Sequence, residues 1–198
     1  MSKSWKIIVI VLGVVVLLGI LILTYVMDAY NDLVKRDEGV QTAWSQVENQ
    51  YQRRMDLIPN LVNTVKGYSE FEAATLEAVI SARARATQTQ VNIEDVNSFA
   101  QFQDSQNALS SALSRLMVVV EQYPELKANQ NFLELQAQLE GTENRISVER
   151  KNYNETVREY NIRIRQFPKN MIAGMFGFEK ANLFESAEEA VIPPVVEF

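Results

Sequence analysis

The sequence predicts an all-α protein. An N-terminal transmembrane helix continues into an elongated antiparallel helical bundle of about four helices with coiled-coil-like packing. Three observations predict this. Residues 7–27 are an unbroken apolar run. From there to Phe167 the apolar residues recur at steps of three, four and seven, and Pro59 and Pro124 are the only prolines. No alternating apolar–polar stretch of useful length interrupts that period before the tail.

Ile7 to Met27 carries no charge. As a helix it is about 31 Å long, against roughly 30 Å of bilayer hydrocarbon. Trp5 and Tyr25 stand near its two edges, where amphipathic rings prefer the headgroup layer. The run is longer than a secretory h-region, and Tyr25 to Asp28 offers no small-x-small cleavage site. It reads as an uncleaved signal anchor over residues 7–27, behind a short basic N-terminus, residues 1–6. Lys3, Lys6 and the terminal amine precede the span closely, whereas Lys35 and Arg36 follow it at a distance. That bias favours a cytoplasmic N-terminus and a bundle on the extracytoplasmic side.

Residues 28–168 then read as the bundle. In helix one, Tyr30, Leu33, Val40, Trp44, Val47, Tyr51, Ile58, Leu61, Val65 and Tyr68 fall on one stripe. Pro59 lies inside it and is expected to kink the helix, or to end it and begin another. Nothing between Met27 and Gly39 resembles a linker, so the anchor is expected to run straight into helix one. Ser69 and Glu72 have the spacing of a capping box for a short, alanine-rich second helix. It reaches about Thr87, with Leu76, Val79 and Ile80 on its apolar side.

Asn92 is expected to cap helix three, with Glu94 and Asp95 complementing its dipole. That helix carries Phe99, Phe102, Gln106, Leu109, Leu113, Leu116, Val120 and Tyr123 at alternating steps of three and four, until Pro124 breaks it. Helix four starts near Asn129 or Asn131. Phe132, Leu139, Ile146, Tyr153, Tyr160 and Phe167 are each seven apart, and Pro168 stops the pattern. Residues 169–198 read as an irregular apolar and acidic tail that lies on the bundle or is mobile.

Composition excludes much chemistry. Cysteine and histidine are both absent, which removes disulfides, thiolate chemistry, a lipoprotein anchor, the usual zinc ligand and the commonest general base. No catalytic residue, metal site or cofactor is expected. Without Lys3 and Lys6, the net charge of −6 becomes −8 on residues 28–198, which argues against nucleic acid as a partner. Asn and Gln number 29, where Lys and Glu are the usual choice for helix surfaces. Uncharged polar faces do not repel copies of themselves, so this composition fits lateral packing.

Several residues stand out. Tyr153-Asn154 and Tyr160-Asn161 repeat at a heptad. They form a recognition face, or place tyrosines in the seam with asparagines hydrogen-bonding beside it; the second reading is favoured. Glu140, Glu143, Arg145, Glu149 and Arg150 surround Thr142, and such clusters are more often solvated ion pairs than cation sites. Arg53, Arg54, Asp56 and Asn60 flank Pro59, where a kink exposes backbone carbonyls that charged neighbours satisfy. In the tail, Met171, Ile172, Met175, Phe176, Phe178 and Phe184 are candidate interaction residues, because a thin bundle has little room to bury them all.

Some of these stretches carry a resemblance. Ala43-Trp44-Ser45-Gln46-Val47 and Arg53-Arg54-Met55-Asp56-Leu57-Ile58-Pro59-Asn60-Leu61-Val62 resemble the signature of the LemA family. Tyr123-Pro124-Glu125-Leu126-Lys127-Ala128-Asn129, Gly141-Thr142-Glu143-Asn144-Arg145-Ile146, the two Tyr-Asn pairs and Phe176-Gly177-Phe178 resemble it too. The resemblance covers nearly the whole chain after the anchor. It implies a small bacterial protein with one membrane helix and an all-α bundle, and it supplies no activity and no catalytic residues. Some relatives are tied to intracellular membrane formation in magnetosome-making bacteria, which favours a scaffold. The family's usual orientation places the short N-terminus outside, opposite to the charge bias here.

The expected function is therefore a non-enzymatic, self-assembling scaffold at the bacterial inner membrane. The partners would be the bilayer, through one helix, and further copies of the chain. The alternative is an adaptor presenting its bundle to another envelope protein, such as a membrane protease.

Overall fold

The computed structural model describes residues 3–68 and 72–185. Among them every regular element is a helix: α1 (Lys3–Lys66), α2 (Ala73–Gln88), α3 (Val96–Val120), the single turn α4 (Pro124–Lys127), α5 (Gln130–Arg165) and α6 (Lys169–Phe176). The four long helices α1, α2, α3 and α5 form the expected bundle. The longest pairing is α1 against α5, α2 packs on α3, and α6 closes on both α1 and α5.

Helix α1 is continuous for 64 residues, from the apolar run through the whole height of the bundle. Residues 7–23 are exposed along it, while the stripe from Leu33 to Val65 is buried. Tyr30, at 37 % exposure, and Tyr68, half-buried beyond the end of α1, are the exceptions. Pro59 neither ends α1 nor starts another helix. Proline removes the N–H that would serve the carbonyl four residues back, which is that of Met55. Arg83 of α2 replaces it, donating Nε–H to the Met55 carbonyl at 3.0 Å. A side chain from a neighbouring helix thus repairs the break that local sequence implies.

Helix α2 begins at Ala73, after Glu72, which makes no side-chain cap bond; Ser69 of the expected capping box lies outside the described residues. Ile80 is half-exposed, and Ala82 and Ala86 fill the inward positions beside Leu76 and Val79. Asp95, not Asn92, caps α3, accepting from the Ser98 N–H at 2.6 Å. Asn92 instead turns the loop by accepting from the Glu94 N–H at 3.0 Å. Pro124 occupies the first turn of α4, where a missing N–H costs nothing. Asn129 caps α5 through the Phe132 N–H at 3.1 Å.

The tail departs from the irregular expectation at its start, because residues 169–176 are helical. Phe167, expected in the seam, is 81 % exposed. Gly177 ends α6 in the left-handed region, φ +76°, and the Phe178 N–H bonds back to the Ala173 carbonyl at 3.0 Å. The chain then runs on without helix to residue 185 along the bundle.

The core divides into two apolar segments. The one nearer the apolar run extends from Ala29 to Tyr51 of α1 and includes Phe102, Ile146, Tyr153, Val157 and Tyr160. The distal one begins at Met55 and includes Leu109, Leu116, Phe132 and Leu139. Between them lie Arg54, Gln106 and Thr142, the three buried polar or charged residues among those described. One polar layer therefore crosses the bundle at a single level.

Candidate functional site

Arg54 centres that layer with 2 % exposure. Its guanidinium donates to Glu143 at 2.7 Å, to Ser110 Oγ at 2.9 Å and to Gln106 Oε1 at 2.5 Å. The Tyr51 ring lies 5.2 Å from it. Glu143 is 55 % exposed, so the pair is a buried cation with a solvent-touched partner. Arg54 Nε and Gln50 Oε1 have no hydrogen-bond partner. An open cleft of about 210 Å³ beside the pair is lined on its apolar side by Leu113, Met117 and Leu139. The other residues flanking Pro59 do not join it. Arg53 is exposed, Asp56 accepts from its helix neighbour Gln52, and the Asn60 carbonyl serves Thr64.

A second constellation holds the chain after α6 as a strap. Asn161 clamps Ala181, donating to its carbonyl at 2.9 Å and accepting its N–H at 3.1 Å. Asn154 does the same to Phe184, at 3.0 and 2.9 Å. Gln103 of α3 grips both backbone groups of Glu185, at 3.3 and 3.4 Å. Tyr153 adds a bond from its hydroxyl to the Asn182 carbonyl at 3.0 Å. Seven helical residues rise about 10.5 Å, and three extended residues span about 10 Å. The heptad spacing of the two asparagines thus matches the three-residue spacing of the groups they hold.

Phe184 is the strap's anchor. It is stacked on Trp44 at 6.0 Å, lies 4.9 Å from Phe99 and 5.5 Å from Tyr153, and Arg150 sits 4.5 Å over its face. Trp44, read from sequence as a signature residue, is the floor of this aromatic pocket. Burial raises the phenols of Tyr153 and Tyr160, and the nearby Asp37 carboxylate raises Tyr160 further. The arrangement is the second reading of the Tyr-Asn repeat: the tyrosines are core, and the asparagines hydrogen-bond beside them to the chain's own backbone.

A third constellation lies on α1 just past its apolar run. Asp32 accepts from Arg36 at 3.2 Å, from Arg163 at 3.1 Å and from Lys169. The Lys169 hydrogen bond holds the Asp32 carboxyl below the usual value of 3.8; burial opposes it, and the charges of Lys169, Arg36 and Arg163 add to it. This node joins α1, α5 and α6. Sequence reasoning missed it because its partners are 131 and 137 residues apart.

The six candidate tail residues divide between two environments. Ile172 and Phe184 are taken up in the chain's own core. Phe178 is half-buried against it, while Met171, Met175 and Phe176 are 64 %, 76 % and 50 % exposed. Phe176 and Phe178 meet the Tyr30 ring at 4.8 and 5.8 Å. Among the described residues no group of three or more acidic side chains is placed to hold a metal ion.

Comparison with known proteins adds a family. The model described as the LemA family matches residues 43–198, from just before Trp44 onward. Magnetosome protein MamQ 2 of Paramagnetospirillum magneticum is 26 % identical over 175 residues, covering 79 % of this chain and 64 % of its own length. The chain thus spans just under two thirds of that relative. Protein LemA of Metamycoplasma hominis is 25 % identical over 178 residues, covering 90 % of this chain and 78 % of its own. Magnetosome protein MamQ of Magnetospirillum gryphiswaldense is 23 % identical over 207 residues, covering 93 % and 76 %.

Proposed function

We propose that this chain, which belongs to the LemA family, is a non-enzymatic scaffold anchored in the bacterial inner membrane by residues 7–27 and working by self-assembly of its bundle. The observation that carries the reading is the unbroken α1, which joins an apolar stretch long enough to span a bilayer to the core of the bundle. A stiff join gives neighbouring copies in one bilayer a shared orientation. They then lose less rotational freedom on meeting than tethered domains would.

The outward faces support lateral contact. Gln41, Gln46, Asn49 and Gln52 on α1, and Gln138, Asn144 and Asn152 on α5, are exposed amides that bring no charge to a neighbour. The charge of −8 on residues 28–198 opposes close arrays and has to be spread or screened. The absence of histidine and cysteine from the sequence supports a non-catalytic role. The magnetosome proteins among the relatives extend the reading to organising membrane.

The test is the mass of the full-length protein in nanodiscs and in mild detergent across a wide concentration range. A defined homo-oligomer is expected. A monomer throughout sinks the scaffold, and the adaptor for another envelope protein takes its place. The orientation proposed places the bundle on the extracytoplasmic side, so protease added to spheroplasts digests it; survival until lysis reverses that assignment.

A further inference from the structure

Helix α6 contacts α1 just past the apolar run of residues 7–27. Phe176 rests on Tyr30, which is three residues past Met27, or about 4.5 Å along α1. Lys169, at the other end of α6, reaches Asp32, about 7.5 Å past Met27. The headgroup layer beyond the hydrocarbon is about 5–7 Å thick on each side. The two contacts lie only about 3 Å apart along α1, whereas an eight-residue helix is about 12 Å long, so α6 runs across α1 rather than along it. Val26, inside the apolar run, already packs against the same core as Ile172 and Ala173.

The faces of α6 are chemically distinct. Ile172 and Ala173 point into the core, which extends away from the span toward Tyr51. The opposite side presents Met171 and Met175, with Phe167 just before the helix and Phe176 at its end, at 64 %, 76 %, 81 % and 50 % exposure. Met171 and Met175 are four residues apart in α6 and share one stripe, and Phe167 stands exposed in the turn just before the helix. Lys169–Phe176 contains no acidic residue, although the domain as a whole is strongly acidic. Among the described residues none covers this stripe, and with residues 7–27 spanning the bilayer the medium at its level is the acyl–headgroup boundary.

We infer that Phe167, Met171, Met175 and Phe176 form an interfacial foot that inserts into the same leaflet α1 leaves, giving each bundle a second membrane contact. Amphipathic helices seat their apolar face about 5–10 Å into this boundary. Two contacts, one spanning and one lateral, fix the bundle's tilt and its rotation about α1, which a single helix leaves free. The inference rests on the anchor of the preceding reading but not on self-assembly.

The chain has no native cysteine, so single labels are simple to place. Full-length Met171→Cys and Met175→Cys, labelled with an environment-sensitive fluorophore, are reconstituted into phosphatidylcholine vesicles at no more than one protein per vesicle. Val15→Cys marks the span and Ala137→Cys the distal end of α5. At both foot sites, quenching by iodide should be several-fold weaker than at Ala137→Cys, and quenching by a shallow spin-labelled lipid several-fold stronger. Iodide access equal to that of Ala137→Cys, with no lipid quenching, overturns the foot while Val15→Cys still reports the anchor. Protection from both quenchers seen only when vesicles are loaded with several copies means a second copy covers the stripe, and also overturns it. A Val15→Cys label reached freely by iodide removes the anchor and the foot together.

Discussion

Releasing the strap tests the asparagine clamps most directly. Asn154 and Asn161 each make two hydrogen bonds to the strap's backbone. At a net value of about 1 kcal/mol per bond, each Asn→Ala change weakens docking by about 2 kcal/mol, and the pair by about 4 kcal/mol. A factor of ten corresponds to 1.4 kcal/mol, so the undocked population should rise about 30-fold for each single variant and about 1,000-fold for the double. Lys180 lies in the strap between Gly177 and Ala181. Trypsin cleavage after it tracks that population when opening is faster than cutting. The assay uses full-length protein in detergent, with Trp5→Phe leaving Trp44 as the sole emitter. Trp44 stacks on Phe184, so its spectrum should red-shift as Lys180 becomes cleavable. Once the double variant is undocked, adding Phe184→Ala should change little, because a single cooperative unit is lost only once. Unchanged cleavage at Lys180 in Asn154→Ala/Asn161→Ala would refute the clamps as what holds the strap.

Three further outcomes follow from other parts of the fold. Arg83→Met should lower unfolding free energy by about 1–2 kcal/mol by denaturant titration, because the Met55 carbonyl loses its donor. In a Pro59→Ala background a backbone N–H is restored, so the cost should nearly vanish; equal costs in both backgrounds would count against the repair. Arg54→Met should cost about 2–3 kcal/mol by leaving the buried Gln106 side chain unpaired, and Arg54→Met/Gln106→Leu should recover most of it. A double variant no better than the single removes the polar layer from the account. The Asp32 carboxyl, held low by Lys169, contributes stability that is present above pH 3.8 and is lost as pH falls through its depressed folded value. The Tm advantage of wild type over Asp32→Asn should therefore be full at pH 7 and shrink below pH 3.8; a gap independent of pH would contradict it.

Contiguous pattern explains most of what was legible. Leu33, Val40, Val47, Ile58, Leu61 and Val65 follow the helical period and are fully or almost fully buried. Asn129 reads as a cap and is one. Where several local partners compete, the reading slips: Asp95 took the cap expected of Asn92. The Phe176-Gly177-Phe178 signature acquires a reason in the left-handed Gly177, which ends α6 and sends Phe178 back onto Tyr30. Gln106 was placed on the inward stripe of helix three and is buried there, but its pairing with Arg54 in a polar layer could not be read from spacing.

An unbroken apolar run, a sustained helical period and the absence of cysteine and histidine were enough to determine the anchor-like helix, the all-α class and the narrow range of chemistry. These are properties of neighbouring residues, and backbone geometry translates them without reference to the rest of the chain. Tertiary structure alone decided that Arg83 mends α1 at Pro59, that Asn154 and Asn161 hold a strap, and that α6 is pinned to α1 just past its apolar run by Asp32. Each of those bonds joins residues far apart in the chain, so the identity of each partner follows from which helices pair and at what height. A periodic pattern states which face is buried; it does not state what will be waiting there.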